Sequence, residues 1–423
     1  MKKSLLFLVS LVSLVNLVNL ANLAAQTPFS FDFHGFVNPH YYADSRNVVG
    51  GREDMMLFFP KPILLDSLGN DINDGWQADM LAITARLGLR VNGPSIWGAK
   101  SCAYIEGDFT GSTNATIDNL RLRHAYFDLV WENYRTKGDT KFLVSRRRLL
   151  AGQYWYPMVI HEIMPMTNPL NMGSPFHCYA RQPQIRHEYY LLGLETVFAA
   201  VWQLDNMSQG LLDGAPSSST LFARHSLIPE LNFQLRWKRE KIFLGAAINA
   251  KTIQPVVNTK GAAAKHDLHT SLTYSLFGKA ILGPVTVKAQ TLLNNSLYEG
   301  CSLGGYILFL GDNGNYTTRD WHFNTVWLDI ERNKGHWRPG IFMGYAKRGT
   351  IIEPTEDLMS FYIFGRGDNI KQLWRVQPRL TYNTLNGLSF TAEAEYTEAC
   401  YITNSGESPI GNLRLSLSAT YAF

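Results

Sequence analysis

The feature that most constrains this chain is its last eleven residues. In Leu413-Arg414-Leu415-Ser416-Leu417-Ser418-Ala419-Thr420-Tyr421-Ala422-Phe423 every odd position is apolar and the even ones are mostly polar. A period of two over that length defines a strand with one oily face and one wet face. The pattern recurs upstream: Leu231, Phe233, Leu235 and Trp237 alternate with Asn232, Gln234, Arg236 and Lys238, and Leu388 to Tyr396 alternate with Ser389 to Thr397. Only 17% of the 423 residues are charged, below the roughly 25% usual in a soluble domain. No run beyond the N-terminus approaches the ~20 apolar residues of a spanning helix. An all-β transmembrane antiparallel barrel accommodates all three observations, because its oily face meets lipid and its wet face lines the lumen.

Sixteen strands are expected, beginning near residues 31, 78, 97, 119, 141, 183, 194, 229, 241, 266, 284, 317, 335, 370, 387 and 411. Turn-forming residues cluster at Asn92-Gly93-Pro94, Lys238 to Lys241, Asn333 to Gly335 and Asn386-Gly387. Longer connections span about 43–77, 156–182, 205–225, 254–266, 299–315 and 349–369. Short follows even strands and long follows odd ones, as short periplasmic turns and long extracellular loops require. Trp76, Trp97, Trp131, Trp155, Trp202, Trp237, Trp321 and Trp337 fall near strand ends, where interfacial girdles form. The apolar phase switches near His124, which implies a β-bulge. The run Arg146-Arg147-Arg148 sends at least one arginine outward, which suits a bulge or a contact between subunits.

Lys2 and Lys3 followed by the apolar stretch Leu5 to Leu20 and Ala24-Ala25 read as a signal peptide over 1–25, leaving 26–423 as one barrel domain. Its removal takes the formal charge from +4 to +2 (39 less two basic residues against 35 acidic), too near neutral for a nucleic-acid binder. Cys102, Cys178, Cys301 and Cys400 show no metal spacing. Of these, Cys301 and Cys400 both fall near outer strand ends, so a disulfide between them is conceivable.

Several segments occurring in order resemble the DcaP-like family of trimeric outer-membrane porins: Arg86-Leu87-Gly88-Leu89-Arg90, Ile105 to Phe109, Leu120 to Tyr126, Leu150 to Trp155 and Arg181 to Arg186. They lie within about residues 80–190. The resemblance implies a homotrimeric channel in the outer membrane of a Gram-negative bacterium, surrounded by lipid and lipopolysaccharide and passing small, often anionic, solutes. It also implies that 156–182 folds inward as the constriction. The coiled-coil extension that family members can carry has no counterpart between Gln26 and the first strand.

On the polar faces, Arg86, Arg90, Arg121, Arg123, Arg186, Arg375, Arg379 and Arg414 accompany Glu106, Asp108, Glu188, Glu393 and Glu395. Antiparallel pairing opposes Glu106 to Arg123, Asp108 to Arg121 and Glu395 to Arg375, as cross-strand ion pairs. Arg86, Arg90 and Arg379 are left without an evident partner and become candidates for contacting a permeating anion, with Glu162 the acidic residue of the inward loop. The methionines and histidines of that loop, with Cys178, lack a recognisable copper spacing. No GxSxG, HExxH or phosphate loop is present, so neither an enzyme nor a cofactor is expected. Arg366-Gly367-Asp368 needs no more than turn chemistry. The expected function is a porin for small hydrophilic, carboxylate-type anions. The alternative is a plugged barrel acting as a structural or docking subunit of a surface complex. The terminal Phe423 resembles the signal read by barrel-insertion machinery.

Overall fold

The computed structural model describes residues 29–423 except 169, 171, 205, 260–265, 312–314 and 350–359. The expected signal peptide lies outside the described residues. Sixteen antiparallel strands close into one barrel. They are β1 (Ser30–Val37 and His40–Arg46), β2 (Asp74–Leu81 and Arg86–Asn92), β3 (Lys100–Asp108), β4 (Arg121–Lys137), β5 (Thr140–Trp155), β6 (Arg181–Leu191), β7 (Leu194–Val201), β8 (Glu230–Lys238) and β9 (Ile242–Ile253). They continue as β10 (His269–Leu282), β11 (Val285–Asn295), β12 (Phe323–Arg332), β13 (Trp337–Arg348), β14 (Ile370–Asn383), β15 (Leu388–Thr403) and β16 (Gly406–Ala422). Pro39, which has no N–H to give a ladder, interrupts β1, and a turn from Ala82 to Ala85 interrupts β2.

Period-two patterning becomes wall. On β8, Leu231, Phe233, Leu235 and Trp237 point out and are exposed, while Asn232, Gln234 and Arg236 are buried inside. The seam joins β16 to β1 through Asp44 opposite Arg414 and Phe36 opposite Ala422. It ends on reciprocal backbone bonds between Gly35 and Phe423 of 2.9 and 3.0 Å. Deleting Phe423 removes the last of these rungs, and we expect outer-membrane levels to fall sharply with secretion intact. Quantitative blotting of membrane fractions checks this, and unchanged abundance refutes it.

The strict alternation of short and long connections does not hold at one place. β15 and β16 are joined on the long-loop side by residues 404–405 alone, because the two strands continue their ladder to Thr403 opposite Gly406. The bulge near His124 is present: Glu106 faces His124 and Gly107 faces Leu122, so Arg123 is the extra residue. A second bulge at Val144 sets the phase of the arginine run, since Asn133 faces Ser145 but Tyr134 faces Leu143. Arg146 and Arg148 therefore point inward to Glu195 (3.0 Å) and Asp128 (2.6 Å). Only Arg147 points outward, stacked 4.1 Å over Trp131, an arrangement that keeps its guanidinium at the interface. His124 is also buried inside, which leaves Arg147 as the outward member of the arginine run.

The tryptophan girdle needs a similar correction. Trp97, Trp202, Trp237 and Trp337 are exposed near strand ends as interfacial residues should be. Trp155 and Trp321 are buried within the molecule. All four cysteines are free thiols. Cys400 donates toward Glu407, whereas Cys301 accepts from Asn206, so the two have different surroundings.

Candidate functional site: a constricted lumen with an arginine cluster

Two loops fill the outer part of the lumen. The described residues of 156–180, after β5, reach from one wall to the other. Gln234 donates to the Pro157 carbonyl (2.7 Å) and Lys288 to that of Met164 (3.1 Å). On the far side the Asn168 amide N–H reaches Glu393 (3.1 Å) and its side chain reaches Ser416 (3.1 Å). Thr325 donates to the Phe176 carbonyl at 2.7 Å. Met158, Met164 and Met172 pack in the core, and His177 lies tilted against Trp327 with ring centroids 5.7 Å apart. These groups are packing, and no cluster of three metal-ligating residues occurs among the described residues.

The second loop was not anticipated as an inward element. Between β1 and β2, a hairpin of Val48–Gly51 with Met56–Pro60 folds into the lumen. The missed signal was the run Met55-Met56-Leu57-Phe58-Phe59, too apolar for a water-facing loop. Two buried arginines pin it. Arg375 donates to the carbonyls of Leu57 (3.2 Å) and Phe58 (3.0 Å), and Arg414 to those of Met55 (3.1 Å) and Asp54 (2.6 Å). Arg375 also holds the other loop, at the Ser174 carbonyl (2.8 Å), so one guanidinium ties both loops to the wall. The Arg366-Gly367-Asp368 tripeptide is part of this packing: Gly367 accepts from the Ile370 N–H and Arg366 lies over Phe58.

The three cross-strand pairs read from the sequence are in place: Arg123 to Glu106 at 2.6 Å, Arg121 to Asp108 at 3.1 Å and Arg375 to Glu395 at 2.9 Å. Arg186 meets Glu188 at 2.8 Å on its own strand. Arg379, expected to be unpaired, is not. It forks onto Asp329 at 2.7 and 3.1 Å and reaches Glu331 at 3.2 Å. Those partners lie on β12, across the intervening β13, where Gly340 stands between Glu331 and Arg379 in the ladder. A Cβ on Gly340 would meet the Arg379 guanidinium at 2.7 Å, so the missing side chain opens the route. Nearest-strand pairing could not see a bridge that skips a strand. Glu162 is likewise elsewhere than expected. It pairs with Arg236 (3.3 Å) and Lys238 (3.1 Å) on β8, away from the arginines it was to balance.

Arg90 and Arg86 separate. Arg90 lies in a depression at the inner rim with Asp128 and Glu132, donating to the Cys102 sulfur at 3.2 Å. Arg86 belongs to a cluster. It sits 3.6 Å from Glu106, which Arg123 already holds, while Arg123 and Arg121 share Asp108. Arg181, which sequence reasoning did not place in the site, lies 4.1 Å over Trp155 and donates to the Tyr179 hydroxyl (3.2 Å). Four guanidiniums thus surround two carboxylates. The Nε of Arg86, the Nη2 of Arg123 and the Nε of Arg181 are buried and make no hydrogen bond. Buried cationic donors left over in this way form an incomplete network that an anion would complete.

Arg86 and Tyr179 open onto a cavity of about 540 Å³, lined on the loop side by Met166, Thr167, Asn168, Leu170 and Met172. Arg86, Arg332, Arg338 and Arg379 line this cavity against one carboxylate, Glu331. His40, Asn38 and Thr167 each add a buried polar atom without a hydrogen bond near the same space.

Solved structures with this architecture are outer-membrane channels. The DcaP channel of Acinetobacter baumannii matches with a TM-score of 0.61 over 93% of this chain and 97% of its own, at 18% identity. An anion-selective porin from Comamonas acidovorans matches with a TM-score of 0.52 over 93% and 100%, at 11% identity. A trimer form of OmpT from Vibrio cholerae gives 0.52 over 93% and 99%, at 9% identity. What is shared at these identities is the fold. No family model and no curated protein matches the sequence.

Proposed function

We propose that this chain is an outer-membrane porin for passive diffusion of small hydrophilic anions, carboxylates foremost. The observation that carries the reading is the excess of guanidiniums over carboxylates in the cluster whose Arg86 opens onto the cavity, with three buried N–H-bearing nitrogens of that cluster unsatisfied. Guanidinium forks bind carboxylates bidentately, and a narrow, partly desolvated passage strengthens that attraction. Anion selectivity in the Comamonas acidovorans porin, as its description states, accords with this reading. The trimer form recorded for OmpT supports assembly as a homotrimer. The outward apolar band would meet lipid and lipopolysaccharide, and Phe423 would be the residue engaged by barrel-insertion machinery.

One observation favours the other reading, a docking subunit with a plugged pore. The two inward loops leave Gln377, Thr397 and Arg375 of the far wall wholly buried. Single-channel recording on the purified barrel separates the two: steady ohmic current supports the porin, and silence supports the plugged subunit.

A further inference from the structure

The end of the constriction loop and the connection that follows β11 are zipped together. Ser302 donates to the Pro175 carbonyl (3.1 Å), and the Tyr179 N–H donates to that of Gly300 (2.6 Å). Between these two bonds stand Cys178, wholly buried, and Cys301, partly buried against the same apolar cluster. A Cβ on Gly300 would lie 3.3 Å from both the Cβ and the sulfur of Cys178. Cysteines whose Cβ atoms stand about 3.5–4.5 Å apart can be bridged. Cys301 is the next residue along the chain.

Cys301 also occupies a place that does not favour a side chain. It follows the short turn Tyr298–Gly300 with φ of 62°, a left-handed conformation better suited to glycine. The turn is fixed to the wall, because Lys251 on β9 holds both Glu299 oxygens at 2.8 Å and donates to the Ser296 carbonyl (3.2 Å). Both backbones are therefore held, and the two sulfurs stay neighbours. The other cysteines stand apart: Cys102 meets Arg90 at the inner rim and Cys400 meets Glu407.

We propose that Cys178 and Cys301 are joined as a disulfide in the exported chain, stapling the constriction loop to the connection after β11. An outer-membrane protein passes through the periplasm, a compartment where disulfides form and persist. The oxidant is a disulfide-bearing exchange partner of that compartment. The Cys301 thiolate attacks its disulfide to give a mixed disulfide, and the Cys178 thiolate then attacks the Cys301 sulfur and displaces the partner. Two protons and two electrons pass from the thiol pair to the partner, which departs as a dithiol. Burial in the packed loops pushes the Cys178 thiol up and keeps it protonated, so the exchange belongs to the stage before the loops close. The bond uses neither the arginine cluster nor the cavity, so it stands apart from the transport reading.

The test takes outer membranes from cells expressing the full chain and blocks free thiols with N-ethylmaleimide under denaturing conditions. Digestion without reductant and mass spectrometry then identify the peptides. The expected product is a linked pair carrying Cys178 and Cys301, with Cys102 and Cys400 alkylated. N-ethylmaleimide on Cys178 or Cys301, or either sulfur joined to Cys102, Cys400 or a second chain, overturns the proposal. In a second arm, denatured and unreduced wild type should run ahead of its reduced form on gels, because the closed loop compacts the chain. Cys178→Ser and Cys301→Ser should each lose the faster band, and Cys400→Ser should keep it. No faster band in wild type, or one that survives in either of the first two variants, also overturns the proposal.

Discussion

Replacing Arg375 by alanine is expected to loosen both inward loops at once and to make the current through the pore larger and noisier. The side chain is wholly buried and bonds to Glu395, to Thr397, to the first loop at Leu57 and Phe58 and to the constriction loop at Ser174. Its loss strands Glu395, itself 1% exposed, as an uncompensated buried charge. Breaking a buried pair from one side costs about 3–5 kcal/mol. The barrel ladder does not depend on this contact, so the variant should assemble, and the cost should appear as loop mobility. Protease nicking within 48–60, together with larger and noisier conductance steps, would register it. Resistance to nicking with unaltered steps would mean that the loops hold themselves in place.

The second large effect is expected at Arg86 and Arg181. Changing both to serine leaves Arg121 and Arg123 facing Glu106 and Asp108, two against two, and removes the excess cation. Hydrogen bonds to charged groups contribute about 1.5–3 kcal/mol each. Losing the pair should shorten the dwell time of a small dicarboxylate that interrupts the current by at least about tenfold, one factor of ten per ~1.4 kcal/mol. Neither side chain supports a loop through a backbone carbonyl, so the open-pore conductance to chloride should survive. Equal blocking of wild type and variant would remove these two arginines from the pathway.

Much of the wall was legible in the sequence because barrel physics is local. Each strand must alternate, so Leu231 to Trp237 and Leu413 to Phe423 declare their faces without reference to any neighbour. Pairing between adjacent strands was legible for the same reason, which is why Arg123 with Glu106 and Arg375 with Glu395 could be read in advance. What escaped were relations set by depth and by absence. Arg379 crosses a whole strand because Gly340 has no side chain, and a bulge at Val144 turned Arg146 and Arg148 inward. The hairpin around Phe58 was hidden because an extracellular position predicts a loop in water, although its five consecutive apolar residues contradicted that. Arg181 was passed over because it stands at the junction of loop and strand, where alternation says nothing about direction.

The central claim, that unpaired guanidiniums at the constriction select anions, is tested most directly by the reversal potential of the wild-type barrel in a planar bilayer under a potassium chloride gradient. The account expects the sign of a chloride-preferring pore, growing when chloride is replaced by a small carboxylate on the concentrated side. A reversal potential of the opposite sign, showing preference for potassium, would contradict it.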